Sequence, residues 1–110
     1  EVINQNASLL ETSLRLEAIG HTGMPVVNDN GTAVGFISLR DIMKGRKVGQ
    51  MHAPVKAFMS KKLITAKPSA TIWEIENLLF DNNIGHLPVT DNGKLIGILT
   101  RTDYLNFSRR

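Results

Sequence analysis

The chain has 110 residues, 42% of them hydrophobic, a formal net charge of +3 and no cysteine. That length holds one domain or a compact pair of half-domains. The lack of thiols excludes disulfides and thiolate metal sites and suits a reducing cytoplasm. No apolar run approaches the ~20 residues that cross a bilayer, and no charged-then-apolar signal segment opens the chain, so no membrane association is expected. A start at Glu1 instead of Met is what a piece of a larger chain would show.

In chain order, Asn6-Ala7-Ser8 caps a helix running to about Ala18, with Leu9, Leu16 and Ile19 on its apolar side. Met24 to Val27 reads as a short strand, Asn28-Asp29-Asn30-Gly31 as a turn, and Val34 to Ile37 as a second strand. A helix opens at Ser38. Residues 45–54, with two Gly and a Pro, form the connection between halves. Val55 to Met59 reads as a helical turn and Leu63-Ile64-Thr65 as a strand. After Pro68-Ser69, Ile72, Ile75, Leu78 and Leu79 carry the spacing of an amphipathic helix that stops at Asn82-Asn83. Leu87 to Thr90 and Leu95 to Leu99 flank Asn92-Gly93, a strong hairpin signal. A last helix opens at Thr100.

The second half thus repeats the first. Pro25-Val26 and Pro88-Val89 are 63 positions apart, while Ser38-x-x-Asp41 and Thr100-x-x-Asp103 are 62 apart. A repeat of this length means two copies of one structural unit.

Ser/Thr-x-x-Asp at a helix start is a variant of the capping box. Here each copy also follows a Gly and an apolar strand. The corner gathers a hydroxyl, free helix N–H groups that attract phosphate, and a carboxylate that suits a vicinal diol. Gly35 and Gly97 let a ligand approach the backbone, and neighbouring Val and Ile suit a flat base. Together these describe a nucleotide, and capping does not conflict with binding.

Carried by Gly35-Phe36-Ile37-Ser38-Leu39-Arg40-Asp41, Gly97-Ile98-Leu99-Thr100-Arg101-Thr102-Asp103, the two Pro-Val strands and Val55-Lys56-Ala57-Phe58-Met59-Ser60, the sequence resembles a tandem pair of CBS domains, or Bateman module, over nearly its whole length. The resemblance implies an α/β (α+β) fold of two tandem repeats, residues 1–47 and 48–110, packed with pseudo-twofold symmetry. It implies adenosine-type ligands (AMP, ADP, ATP or S-adenosylmethionine), with Ser38 and Thr100 on phosphate and Asp41 and Asp103 on ribose. Pro25, Val26 and Gly35 in the first copy, and Thr65, Ala66, Pro88, Val89 and Gly97 in the second, join those sites. Arg40, Arg101 and His86 are candidate phosphate contacts. No cofactor is required, and the implied role is regulation of an attached enzyme, channel or transporter, with pairing into a homodimer.

Gly20-His21-Thr22-Gly23-Met24-Pro25-Val26-Val27 and His52 to Ser60 look more narrowly like the CBS pair of bacterial tRNA nucleotidyltransferases of the poly(A) polymerase type. That likeness adds further domains and tRNA as partners. The first copy departs from the pattern: Val2-Ile3-Asn4-Gln5 stands where the second has Thr65-Ala66-Lys67-Pro68. The site at Asp103 is therefore the better formed.

His21, His52 and His86 lack the spacing of a metal site, and Ser38 has no identifiable base, so no metal or catalytic group is expected. Between Asp41 and Glu74 no acidic residue occurs, while Lys44, Arg46, Lys47, Lys56, Lys61, Lys62 and Lys67 do. Such a block is a solvated surface or an anion-facing one. It leaves open a structural, dimerising or RNA-contacting module with vestigial nucleotide pockets.

Overall fold

Ser8 begins the first helix as the sequence implies: its hydroxyl accepts the Glu11 N–H at 3.0 Å, satisfying a donor that the helix itself cannot. The structure, a computed structural model, describes residues 1–108, with side chains described to Asn106. It contains two compact units, Glu1–Leu63 and the part from Ile64 onward.

In the first unit, β1 (Ile3–Asn4), α1 (Leu9–Ile19), β2 (Gly23–Val27), β3 (Ala33–Ser38) and α2 (Leu39–Lys47) follow in order, then a single 3-10 turn at Val55–Ala57. The sheet order is β1-β2-β3. Strand β1 runs parallel to β2, Ile3 facing Val26, and so needs the α1 crossover. Strands β2 and β3 are antiparallel, with a bulge between Val26 and Val27. Gly20, at φ 71°, ends α1 in the left-handed region. Ile3, Leu9, Leu16, Met24, Val26, Ile37, Ile42 and Val55 form the buried core, flanked by Phe58 and Met59. Buried Thr12 returns its hydroxyl to the Ser8 carbonyl at 2.8 Å. Helices α1 and α2 meet at Gly45, where a Cβ would collide with the Leu9 side chain.

The second unit repeats this with α3 (Ile72–Asp81), β4 (His86–Asp91), β5 (Lys94–Thr100) and α4 (Arg101–Ser108). Thr71 caps α3, accepting the Glu74 N–H at 3.1 Å. Asn83, at φ 50°, turns the chain out of α3, and the β4–β5 hairpin turns on Asn92 and Gly93 at φ 51° and 82°, as the type I′ geometry requires. Ala66, Leu79 and Leu87 are its buried centre, with Ile75, Leu78, Ile84, Leu99 and Tyr104 packed around them.

One expected element is different. Leu63-Ile64-Thr65 forms no strand; a single parallel bridge joins Ala66 to Val89. Ala66 donates to the Pro88 carbonyl and Thr90 donates back to Ala66, both at 2.9 Å. Extending the ladder toward Ile64 would require an N–H from Pro88, which proline lacks. Pro68 blocks the other direction. Residues 48–63, the connection and the Val55 turn included, pack within the first unit. No helix among the described residues is long and apolar enough to cross a membrane.

Candidate functional site

Strand β5 runs straight into α4, and this corner carries Thr100 and Asp103. The Asp103 N–H donates to Thr100 Oγ1 at 3.0 Å, and the Thr100 N–H donates to Asp103 Oδ2 at 3.0 Å. This is a reciprocal capping box. It uses one carboxylate oxygen and a hydroxyl lone pair, and among the described residues neither the Thr100 hydroxyl proton nor Asp103 Oδ1 is engaged in the cap.

The first copy repeats the box in a tighter form. Asp41 Oδ2 accepts the Ser38 N–H and the Ser38 hydroxyl, each at 3.0 Å, while the Asp41 N–H reaches Ser38 Oγ at 3.3 Å. Here the hydroxyl proton is spent inside the cap. The glycines differ in the same sense. At Gly35 a Cβ would lie 2.6 Å from the Ser60 carbonyl oxygen and 2.7 Å from the Met59 sulfur, so the chain itself fills that face. Around Gly97 nothing among the described residues lies within 4 Å of the corresponding point. Pro25 and Val26 are fully buried, with their side chains in the core.

The remaining expected residues of the second copy converge on the β4–β5 sheet. Pro88 is buried, Val89 is half-buried and pairs with Gly97, and Ala66 bridges to Val89, with Thr65 beside it. His86 stands directly across from Thr100 in the register, so the two side chains share a face of the sheet. The two arginines do not behave alike. Arg40 is exposed. Arg101 turns toward the end of α3, donating to the Ile84 carbonyl at 3.0 Å and more weakly to Leu79 at 3.4 Å, with its guanidinium 4.9 Å from the Phe80 ring centre. The last turn of α3 holds no basic residue of its own, and Arg101 supplies the cation that its dipole favours.

Sequence reasoning missed the groove beside Asp103. Ala70, Ile72, Ile75, Leu99, Asp103 and Tyr104 line a cavity of about 410 Å³. It is apolar except for the Asp103 carboxylate and the Tyr104 hydroxyl, which donates to Glu76 Oε2 at 2.6 Å. That bond to Glu76, then burial and the Glu76 charge, raises the Tyr104 pKa above the usual phenol value. The adjacency of Tyr104 to Asp103 was the available signal. Among the described residues no cluster of three His, Asp or Glu side chains is placed to hold a metal ion.

The family model for the CBS domain matches residues 1–47 and 55–110. An uncharacterized protein of Methanocaldococcus jannaschii is 38% identical over 104 residues, covering 94% of this chain and 34% of the relative. The A-adding tRNA nucleotidyltransferase of Aquifex aeolicus is 30% identical over 104 residues, covering 94% of this chain and 12% of the enzyme. The chain therefore spans only a third and about an eighth of these relatives' lengths. Among solved structures, CBSX2 in complex with AMP superposes with a TM-score of 0.87 at 27% identity, covering 99% of this chain and 87% of that one. With both repeats matched in sequence and in fold, the chain belongs to the CBS domain family and is a tandem CBS pair.

Proposed function

We propose that the chain is a regulatory, non-catalytic module that binds an adenosine-type nucleotide in its second repeat. The observation that carries this reading is the open corner at Thr100 and Asp103, with a free hydroxyl proton, a free carboxylate oxygen and an uncovered Gly97. Thr100 and the α4 N–H groups serve phosphate, Asp103 serves the ribose diol, and Thr65, Ala66, Pro88 and Val89 border the base. The AMP held by the CBSX2 relative supports the ligand class. The first repeat, with Ser38 and Asp41 closed on each other and Gly35 covered, completes the fold and binds weakly or not at all.

Thermal unfolding with AMP, ADP, ATP and S-adenosylmethionine tests this. A ligand at a hundredfold excess over Kd adds about 2.7 kcal/mol to stability. A rise in midpoint that Asp103→Ala abolishes and Asp41→Ala spares is expected. No shift with any of the four at millimolar concentration overturns the reading.

Ligand binding in this reading biases an attached domain by favouring one arrangement of the pair over another. The likeness to a tRNA nucleotidyltransferase supports an enzyme of that kind as the attached partner, with pairing into a homodimer. A second reading rests on Lys44, Arg46, Lys47, Lys56, Lys61 and Lys62, all exposed on the first unit: contact with tRNA. It requires RNA binding that weakens steeply with salt and with Lys61→Glu and Lys62→Glu.

A further inference from the structure

The start of α4 keeps few donors for a phosphate. A helix begins with four backbone N–H groups that its own ladder cannot satisfy. Here the Thr100 N–H goes to Asp103 Oδ2 and the Asp103 N–H to Thr100 Oγ1, each at 3.0 Å. The Arg101 N–H goes to the Gly85 carbonyl at 2.9 Å. Among the described residues the Thr102 N–H is the one left over. The Thr100 hydroxyl proton, unused by the cap, is a second donor. His86, across from Thr100 in the register, brings its ring to the same face of the sheet.

Positive charge is scarcer still. Arg101 follows the cap directly, but its guanidinium is committed to the Ile84 and Leu79 carbonyls and to the Phe80 ring, and its Nε is buried. The other cations described in this unit lie along the sheet, away from the corner. Lys94 pairs with Asp91 at the hairpin, the far end of β5 from Thr100. Lys67 follows Ala66, which bridges in parallel to Val89, three residues along β4 from His86. At the rise of a strand, these backbones lie about 20 Å and about 13 Å from the corner. The charged side chain at the corner itself is the Asp103 carboxylate.

We infer that this corner selects adenosine ligands by phosphate count: it takes a single 5′-phosphate and turns away the diphosphate and triphosphate. This selection rests on the nucleotide site proposed above and names its ligand class. One phosphate brings three acceptor oxygens and a charge of about −1.5 to −2. The Thr100 hydroxyl, the Thr102 N–H and the positive end of the α4 dipole can meet that load. Each further phosphate adds acceptors that find no donor in this unit, beside a carboxylate that repels them. Polyphosphates are ordinarily held by Arg, Lys or a metal ion, and the Arg placed nearest is spent on the end of α3.

Calorimetric titration of the intact chain with adenosine, AMP, ADP and ATP, divalent cations removed, reads the selection. AMP should bind tightest, with ATP at least tenfold weaker, ADP between them, and adenosine also weaker than AMP. Raising the salt should narrow the gap between AMP and ATP, because screening relieves like-charge repulsion. Arg101→Ala should leave the AMP-to-ATP ratio within threefold, and a larger change in that ratio marks Arg101 as a phosphate contact and overturns the proposal. The native series stands whether or not that variant folds. ATP binding as tightly as AMP, or a gap that widens with salt, means that cations hold the phosphates; either result overturns the selection and leaves nucleotide binding intact. Adenosine binding as tightly as AMP, or S-adenosylmethionine binding in place of every phosphate ligand, overturns it as well, because phosphate is then not read. A chain that binds none of these ligands overturns the nucleotide site itself.

Discussion

Arg101 and Ile84 are joined by a 3.0 Å hydrogen bond from guanidinium to backbone carbonyl, which ties the first residue of α4 to the turn that ends α3. The same guanidinium lies over Phe80, and the Arg101 N–H bonds the Gly85 carbonyl at 2.9 Å. A residue whose position after the cap suggested a phosphate contact is thereby held at a helix C-terminus. Replacing Arg101 by Ala should lower unfolding stability by about 1–3 kcal/mol, the range for charged hydrogen bonds left unmade. Urea denaturation measures it. Nucleotide affinity, corrected for the fraction folded, should change less than threefold.

The cap residues separate the two corners. Asp103→Asn keeps an acceptor for the Thr100 N–H yet removes the charge, so its stability cost should stay near or below 1 kcal/mol. Its effect on nucleotide binding should be far larger, tenfold or more by calorimetry. Asp41→Asn should show the reverse balance, because Asp41 accepts both the N–H and the hydroxyl of Ser38.

Glycine substitutions read the same asymmetry through packing. Gly35→Ala must displace the Ser60 backbone or Met59, and overpacking of this kind costs about 1–3 kcal/mol. Gly97→Ala enters open space and should leave stability within about 0.5 kcal/mol, the usual range for surface changes. Paired thermal melts give the comparison directly.

Tyr104 predicts an alkaline limit. Its pKa is raised in the folded chain by the bond to Glu76, so the neutral phenol stabilises the fold. That contribution is complete below the unfolded phenol pKa of 10.0 and is lost as pH rises through the higher folded value. Urea midpoints between pH 8 and 11 should fall above pH 10 more steeply in the native chain than in Tyr104→Phe.

Much of the architecture was legible because local signals agreed with the repeat. Ser8 and Asn92-Gly93 specify their cap and turn by side-chain chemistry alone, and each forms as expected. The strand at Leu63 to Thr65 failed for a reason that propensity does not contain. Its partner is Pro88, which cannot donate, and only pairing geometry reveals which neighbour a residue needs. The two arginines illustrate the same limit. Arg40 and Arg101 hold identical places in the motif, yet only Arg101 finds the open carbonyls at the end of α3. The groove beside Asp103 was hidden because it is made by Ala70, Ile72 and Ile75 from one part of the chain and Leu99 and Tyr104 from another.

Ala66 gives the second repeat a built-in order of opening. Among the described residues, two hydrogen bonds, one to Pro88 and one from Thr90, pair the backbone of the segment that holds Thr65 beside the Thr100–Asp103 corner. The β4–β5 hairpin beside it is paired along its whole length, from His86 to Asp91. Segments with so few bonds detach before the elements that they lean on. In the proposed site, entry to the side that would border the base is then a matter of unlatching one residue, and amide exchange at Ala66 should outpace that at Leu87 and Leu99. A nucleotide that closes on Thr65 would slow the latch most, so the ligand would be felt first as a change in rate at a single stitch of backbone.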